Sequence, residues 1–307
     1  MPTWKIRVPA SSANLGPGFD ILGLALDCPL TVTVTPSPDF QLEVTGEGSD
    51  QVPTDAEHLI VATAREIAGE AALQCHWKID SQIPMTRGLG SSAAAIGAGL
   101  TAGFLFRDGT ISQRSELFRE LTSREGHGDN AAAAVYGGLQ FCFQEKADLI
   151  CCQSVPCPES LGVIALVPEH ELATAQARAA LPDTHETTAV TSNMAALSLL
   201  LRSLESHDTR QLSKACTDSL HEPYRLPLVP GLEEALAALR SDEHLMGSWL
   251  SGAGPTLASF APLSAFPDLI HGQGLSSATA ALKQAGIETT ILGLAVDHQG
   301  IQWEKLQ

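Results

Sequence analysis

The sequence is short of aromatic residues, which make up 5% of its 307 positions, and short of cations, with 18 Lys and Arg against 35 Asp and Glu. With so few rings, a core has to be assembled from Ala, Leu, Val and Ile, and a hydrophobic content of 44% is enough to build one. A net charge of −17 repels DNA, RNA and anionic lipid, so neither nucleic acid nor membrane is an expected partner. No apolar run approaches the roughly 18 residues of a membrane span. The opening "MPTWKIRVPA" lacks the apolar h-region of a secretory signal. The seven cysteines include no Cys-x-x-Cys, and an odd, irregular set argues against a disulfide framework or a structural zinc site. A reduced, cytoplasmic setting is the expectation. Also missing are the phosphate-binding pattern that ends in Gly-Lys-Ser/Thr and the dinucleotide pattern Gly-x-Gly-x-x-Gly.

The length suits one large domain or two ordinary ones. Residues 4–9, 30–36, 40–46 and 75–84 read as strands and residues 56–71 as a helix. Helices are expected over 92–106, 112–126 and 130–137, and a strand over 138–143. Residues 8–26 read as a loop too elaborate for a simple hairpin. Pro156 and Pro158 weakly mark a boundary near residue 155. Beyond it, strands over 161–168, 248–261 (interrupted by a glycine loop) and 288–296 alternate with helices over 191–206, 211–222, 231–241 and 276–286. That alternation predicts helices stacked on one face of an antiparallel sheet.

The stretch "PMTRGLGSSAAAIGAGL" (84–100) is a glycine turn feeding a helix N-terminus. A helix start carries unpaired N–H groups and partial positive charge, and glycine lets backbone approach a ligand closely, which together make an anion site. By itself the stretch fits a packed, serine-capped helix equally well. Three further stretches bear on it: "VPASSANLGPGFDILGLAL" (8–26), "SREGHGDNAAAAVYGGL" (123–139) and "WLSGAGPTLASF" (249–260). The second crowds Glu125, His127, Asp129 and Asn130 into six positions.

In this order the motifs resemble the GHMP small-molecule kinases. "PMTRGLGSSAA" is similar to that family's phosphate loop and "LSGAGPT" to its C-terminal glycine motif. "VPASSANLGPGFDILGLAL", "EGHGDNAAAAVYGGL", "TAQARAALP" and "DSLHEPYRLPLVPG" resemble the homoserine kinase branch in particular. The resemblance implies a two-domain α+β fold. Residues 1–155 would form an ATP-binding half like domain 2 of ribosomal protein S5, and residues 156–307 a ferredoxin-like half.

It further implies that Pro84, Arg87, Gly88, Leu89, Gly90, Ser91, Ser92, Ala93 and Ala94, with Gly252 and Gly254, hold ATP. One of Ser91 and Ser92, with Ser92 preferred, would coordinate Mg²⁺ together with Glu125, as suits a hard cation that takes oxygen ligands. The ion would also offset the acidic field. For L-homoserine the resemblance implies Arg178 and Arg225 as carboxylate clamps and Asp20 as ammonium acceptor, with Asn14, His127 and Asn130 completing the polar shell. Asp129 is the candidate general base, although phosphoryl transfer can run on positioning and electrostatics. Glu125, Asp129 and Arg178 are thus the catalytic candidates, ATP and homoserine are the expected small-molecule partners, and a homodimer is compatible with the sequence. Two positions depart from the family pattern: Gly128 where a proline is common, and His58 near the adenine site where relatives tend to carry asparagine.

Overall fold

The computed structural model describes residues 2–146 and 149–306. Two long strands open the chain. β1 (Trp4–Asn14) and β2 (Gly18–Pro36) pair antiparallel around a tip at residues 15–17. The elaborate loop expected over 8–26 is therefore a hairpin. Its loop-like sequence reflects two register breaks, at Val8/Ala10 and Ala13/Asn14, and left-handed backbone at Asn14 (φ 74°), Leu15 (φ 51°) and Asp20 (φ 60°). Such backbone is costly for non-glycine residues and is tolerated where the surroundings hold it.

There follow β3 (Gln41–Gly46), α1 (Leu59–Ala68), β4 (Cys75–Ser81), α2 (Ser91–Asp108), α3 (Arg114–Glu125), α4 (Asp129–Tyr136), β5 (Leu139–Lys146) and β6 (Leu149–Val155). The second half holds β7 (Leu161–Pro168), α5 (Thr174–Ala179), α6 (Thr187–Glu205), the single turns α7 (Leu212–Ala215) and α8 (Glu222–Arg225), and α9 (Leu232–Ser241). It ends with β8 (Gly247–Leu250), β9 (Leu257–Pro262), α10 (Phe266–Leu269), α11 (Gln273–Gln284), β10 (Thr289–Ala295) and β11 (Gln302–Lys305).

The first sheet runs β11–β1–β2–β4–β3, with β5 on β2 and β6 outside β5. β2 is long enough to pair β5 through residues 22–24 and β4 through residues 30–36. β11 belongs to this sheet although it comes from the far end of the chain, pairing with residues 4–7 of β1. α2 and α4 pack on β1 and β2, and α1 packs on α2. α2 keeps Ile96, Leu100 and Phe104 inside as its pattern predicts, but nearly all of residues 93–105 are buried, so the apolar stripe is in fact the whole circumference. A Cβ on Gly99 would stand 2.6 Å from the Ile60 carbonyl oxygen, so glycine sets how closely α1 and α2 approach.

The second sheet is antiparallel, in the order β10–β7–β9–β8. β7 is buried at every residue. Ile164 and Leu166 join a core with Leu236 of α9 and Leu282 of α11, whereas Val163, Ala165 and Val167 join the larger core that continues into the first sheet. α9 and α11 cover one face, as expected, and the other face packs into the core shared with the first sheet. The continuous apolar run of β7 is the mark of a strand buried on both sides.

The helix expected over 211–222 is broken. α7 ends at Ala215, and Asp218 Oδ2 accepts the backbone N–H groups of Leu220, His221 and Glu222 (3.0, 2.7 and 2.8 Å), which starts α8. α5, β6 and β11 were not anticipated. Among the described residues no helix is long and apolar enough to cross a membrane.

Candidate active site

The two halves enclose a cavity of about 570 Å³. Of the candidate site residues, Pro84, Leu89 and Ala94 lie behind its wall and the others line it; Gly128, where the family pattern has proline, does not reach it. Behind the wall, Leu89 still shapes the site, because its carbonyl oxygen accepts the Ser11 N–H (3.1 Å) and ties the loop to β1.

One wall is the glycine turn before α2. Gly88 (φ 79°) and Gly90 (φ 72°) take left-handed backbone, and Gly90 caps α2 without a side chain in the way. Added Cβ atoms would stand 2.2 Å from the Ser251 carbonyl oxygen and 2.0 Å from Ser11 Oγ respectively. The two glycine loops are stitched together. Ser251 Oγ donates to the Gly88 carbonyl (2.6 Å), and the Thr256 N–H donates to the Arg87 carbonyl (3.2 Å). Ser12 Oγ lies 2.8 Å from Ser251 Oγ and accepts from Trp249 Nε1 (3.0 Å). The helix N-terminus, with its unpaired N–H groups, therefore opens on the cavity from a rigid mount.

Across from this helix start, Glu125 ends α3, and its Oε1 accepts a hydrogen bond from Ser92 Oγ at 2.7 Å. Ser91 also lines the cavity, but it is Ser92 that reaches the carboxylate. Next along the chain, His127 Nδ1 lies 2.6 Å from Asp129 Oδ1, which also accepts the Asn130 N–H (2.7 Å). The Asp129 hydrogen bond raises the His127 pKa against the opposing pull of burial, and the charges of Asp129, Asp20 and Glu125 add to it. Asn130 Oδ1 accepts from Ser11 Oγ (2.8 Å).

The hairpin tip and the second half form the remaining end. Asn14 Oδ1 accepts the Asp20 N–H (3.1 Å), and its Nδ2 donates to the Gly252 carbonyl (2.8 Å). Arg178, on α5, holds Asp20 through two parallel bonds of 2.9 Å each. Arg225 is buried at the end of α8, donating to the carbonyls of Ala177 (3.3 Å) and Gly252 (3.1 Å). Burial pushes its guanidinium pKa down and the Asp20 charge pulls it back up. Arg178 and Asp20, expected to meet opposite ends of one ligand, here satisfy each other.

Sequence reasoning missed the apolar end of the cavity, where Leu30, Val44, Ile79 and Ile83 form the lining. These sit on strands and read as ordinary core. Only the exposure of Leu59 at the start of α1 breaks that pattern. His58 caps α1 by accepting the Ile60 N–H on Nδ1 (3.3 Å), and burial holds its pKa low, so the ring is neutral with its proton on Nε2.

Residues 58–138 match the family model described as the GHMP kinases N terminal domain, and residues 200–271 match the GHMP kinases C terminal. A homoserine kinase of Natranaerobius thermophilus is 34% identical over 305 residues, covering 96% of this chain and 96% of that one. A homoserine kinase of a Synechocystis species is 33% identical over 315 residues, covering 100% of both. The crystal structure of homoserine kinase from Cytophaga hutchinsonii superposes with a TM-score of 0.82 at 23% identity, over 99% of this chain and 98% of the other, which is a likeness of fold. With family matches in both halves and relatives aligned from end to end, the chain belongs to the GHMP kinase family.

Proposed function

We propose that this protein phosphorylates the side-chain hydroxyl of L-homoserine with ATP, giving O-phospho-L-homoserine and ADP, the reaction that feeds threonine synthesis. The observation that carries the acceptor is the Arg178–Asp20 pair beside Arg225. A zwitterion can exchange with that internal ion pair and leave neither charge bare, its carboxylate meeting a guanidinium fork and its ammonium meeting Asp20. A carboxylate without an ammonium would take Arg178 from Asp20 and leave Asp20 unpaired, and a neutral sugar would make no use of the ion pair. The end-to-end identity with homoserine kinases supports the same acceptor.

In this reading the triphosphate lies along residues 87–93 and the Gly252–Gly254 loop, held by backbone N–H groups at the start of α2. Ser92 Oγ and Glu125 Oε1 offer the paired oxygen donors that suit Mg²⁺, and both face the cavity. Bound there, the ion would neutralise charge developing on the phosphates. The base would rest on the apolar end near His58. Asn14 and Asn130 orient the acceptor, and Asp129, fixed by His127, is the group that takes the hydroxyl proton. Oxygen attacks the γ-phosphorus, the bond to the β-phosphate oxygen breaks, and ADP leaves. The transition state is loose, so little is asked of the base and much of alignment.

A coupled ADP-release assay over a panel of L-homoserine, mevalonate, galactose and L-serine tests the reading. Turnover on L-homoserine well above the rest is expected. A clear preference for mevalonate or the sugar would replace the acceptor, and ATP binding without ADP release on any of them would make the protein a nucleotide-binding regulator.

A further inference from the structure

The two arginines beside the cavity share an aromatic neighbour that is not itself part of the cavity wall. Phe19 precedes Asp20 on β2 and is half-buried. Arg225 Cζ lies 4.9 Å from its ring centroid and Arg178 Cζ 5.8 Å. Two guanidinium groups drawn to one ring repel each other, and the negative charge density of an aromatic face is a direct way to offset that repulsion. The ring is itself anchored. His221 stacks on it with centroids 5.1 Å apart and planes 26° apart, and His221 is fully buried with Nε2 at 3.2 Å from the Gly16 carbonyl oxygen. The adjoining residues Phe19 and Asp20 thus supply a ring to both arginines and a carboxylate to one of them.

We propose that Phe19 is a positioning residue that sets the separation and tilt of the Arg178 and Arg225 guanidinium groups, and through them the selectivity for a small α-amino acid acceptor. The proposal rests on the acceptor reading above. Phe19 does not touch the reacting atoms, so its loss acts on acceptor affinity and leaves the nucleotide side alone. The ring works through its face as well as its bulk, so an aliphatic side chain of similar size does not replace it.

The test compares Phe19→Leu with Phe19→Tyr. In Phe19→Leu the homoserine KM is expected to rise roughly tenfold, as loss of cation–ring attraction at a partly desolvated site implies. Its kcat and its KM for ATP are expected to stay near wild type, and Phe19→Tyr to keep the wild-type homoserine KM. A second measurement needs no substrate: NMR order parameters of the Arg178 and Arg225 Nε–Hε groups should fall in Phe19→Leu and hold in Phe19→Tyr. An unchanged homoserine KM in Phe19→Leu overturns the proposal. So does a parallel loss of kcat and ATP affinity, or equal weakening by Leu and Tyr. If the wild type does not use homoserine, the acceptor reading fails, and the order parameters still decide the role of Phe19.

Discussion

Two charged groups lining the cavity, Arg178 and Glu125, carry different parts of the proposed reaction, and their substitutions should separate in kinetics. In the proposed reaction Arg178 meets the acceptor in ground state and transition state alike, so Arg178→Ala is expected to raise the homoserine KM by roughly ten- to a hundredfold with a smaller effect on kcat. In the same proposal Glu125 acts, through the ion it would hold, on the charge that develops on the phosphates, so Glu125→Ala is expected to lower kcat by roughly a hundredfold or more at saturating ATP and Mg²⁺. Steady-state kinetics on the two variants checks both, and an unaltered kcat in Glu125→Ala removes that residue from the metal site.

A second residue-scale consequence concerns His221 and Glu222, adjacent and both buried. Burial pushes the His221 pKa down to about 4, and pushes that of Glu222 up to about 7 although Arg240 Nη2 donates to it at 2.6 Å. The signs oppose. His221 stays neutral in the fold while the unfolded chain takes up a proton, so it withdraws stability as pH falls from about 6.5 towards 4. Glu222 holds its proton in the fold, so its contribution is present below about 4.5 and is lost as pH rises through 7. Between these limits the two slopes largely cancel. Urea midpoints from pH 4 to 7.5 should therefore rise with pH in Glu222→Gln and fall with pH in His221→Gln, relative to a flatter wild type.

At the scale of elements, the two glycine loops behave as one part. A Gly88→Ala side chain would push directly on the Ser251 backbone, and the left-handed φ of 79° adds strain. The expectation is a loss of about 2 kcal/mol or more in stability and at least tenfold weaker ATP binding, read by thermal melts and by titration with a non-hydrolysable analogue. Legibility in the sequence followed the same geometry. α2, α3, α4 and β7 could be placed because each carries its own local signal, helix-forming runs in the first three and a continuous apolar run in β7. The hairpin tip and β11 could not, because their causes lie elsewhere in the chain, and the break at Asp218 and β6 could not, because their partners, the amides of residues 220–222 and β5, leave no mark in the pattern. Asn14 keeps its left-handed backbone through a bond to Gly252, Asp218 spends one oxygen on three amides, and β11 is defined by a partner some 300 residues away. The site was readable at the level of motifs, since polar residues crowd at turns. Its apolar end was not, because Val44 and Ile79 look like any strand residues until the cavity beside them is seen.

For the molecule as a whole, the charge of −17 surrounds a site that must admit a polyanion. ATP therefore approaches against the field, and added salt should help it. Its association rate is expected to rise severalfold between roughly 10 and 150 mM monovalent salt, the reverse of a protein with a basic cleft. Stopped-flow with a fluorescent nucleotide checks the sign.

β11 closes the outer edge of β1, the Leu306 N–H donates to the Thr3 carbonyl (2.8 Å), and fully buried Ile301 fills the core between them. A chain cut after residue 296 should lose about 3 kcal/mol or more for that buried side chain and the unpaired edge. The order of synthesis sharpens the point. β1 is made some 300 residues before β11, so the nascent protein carries an open strand edge throughout that interval. The first sheet cannot be finished before the second half is made, and that long interval is where a chaperone has the most to protect.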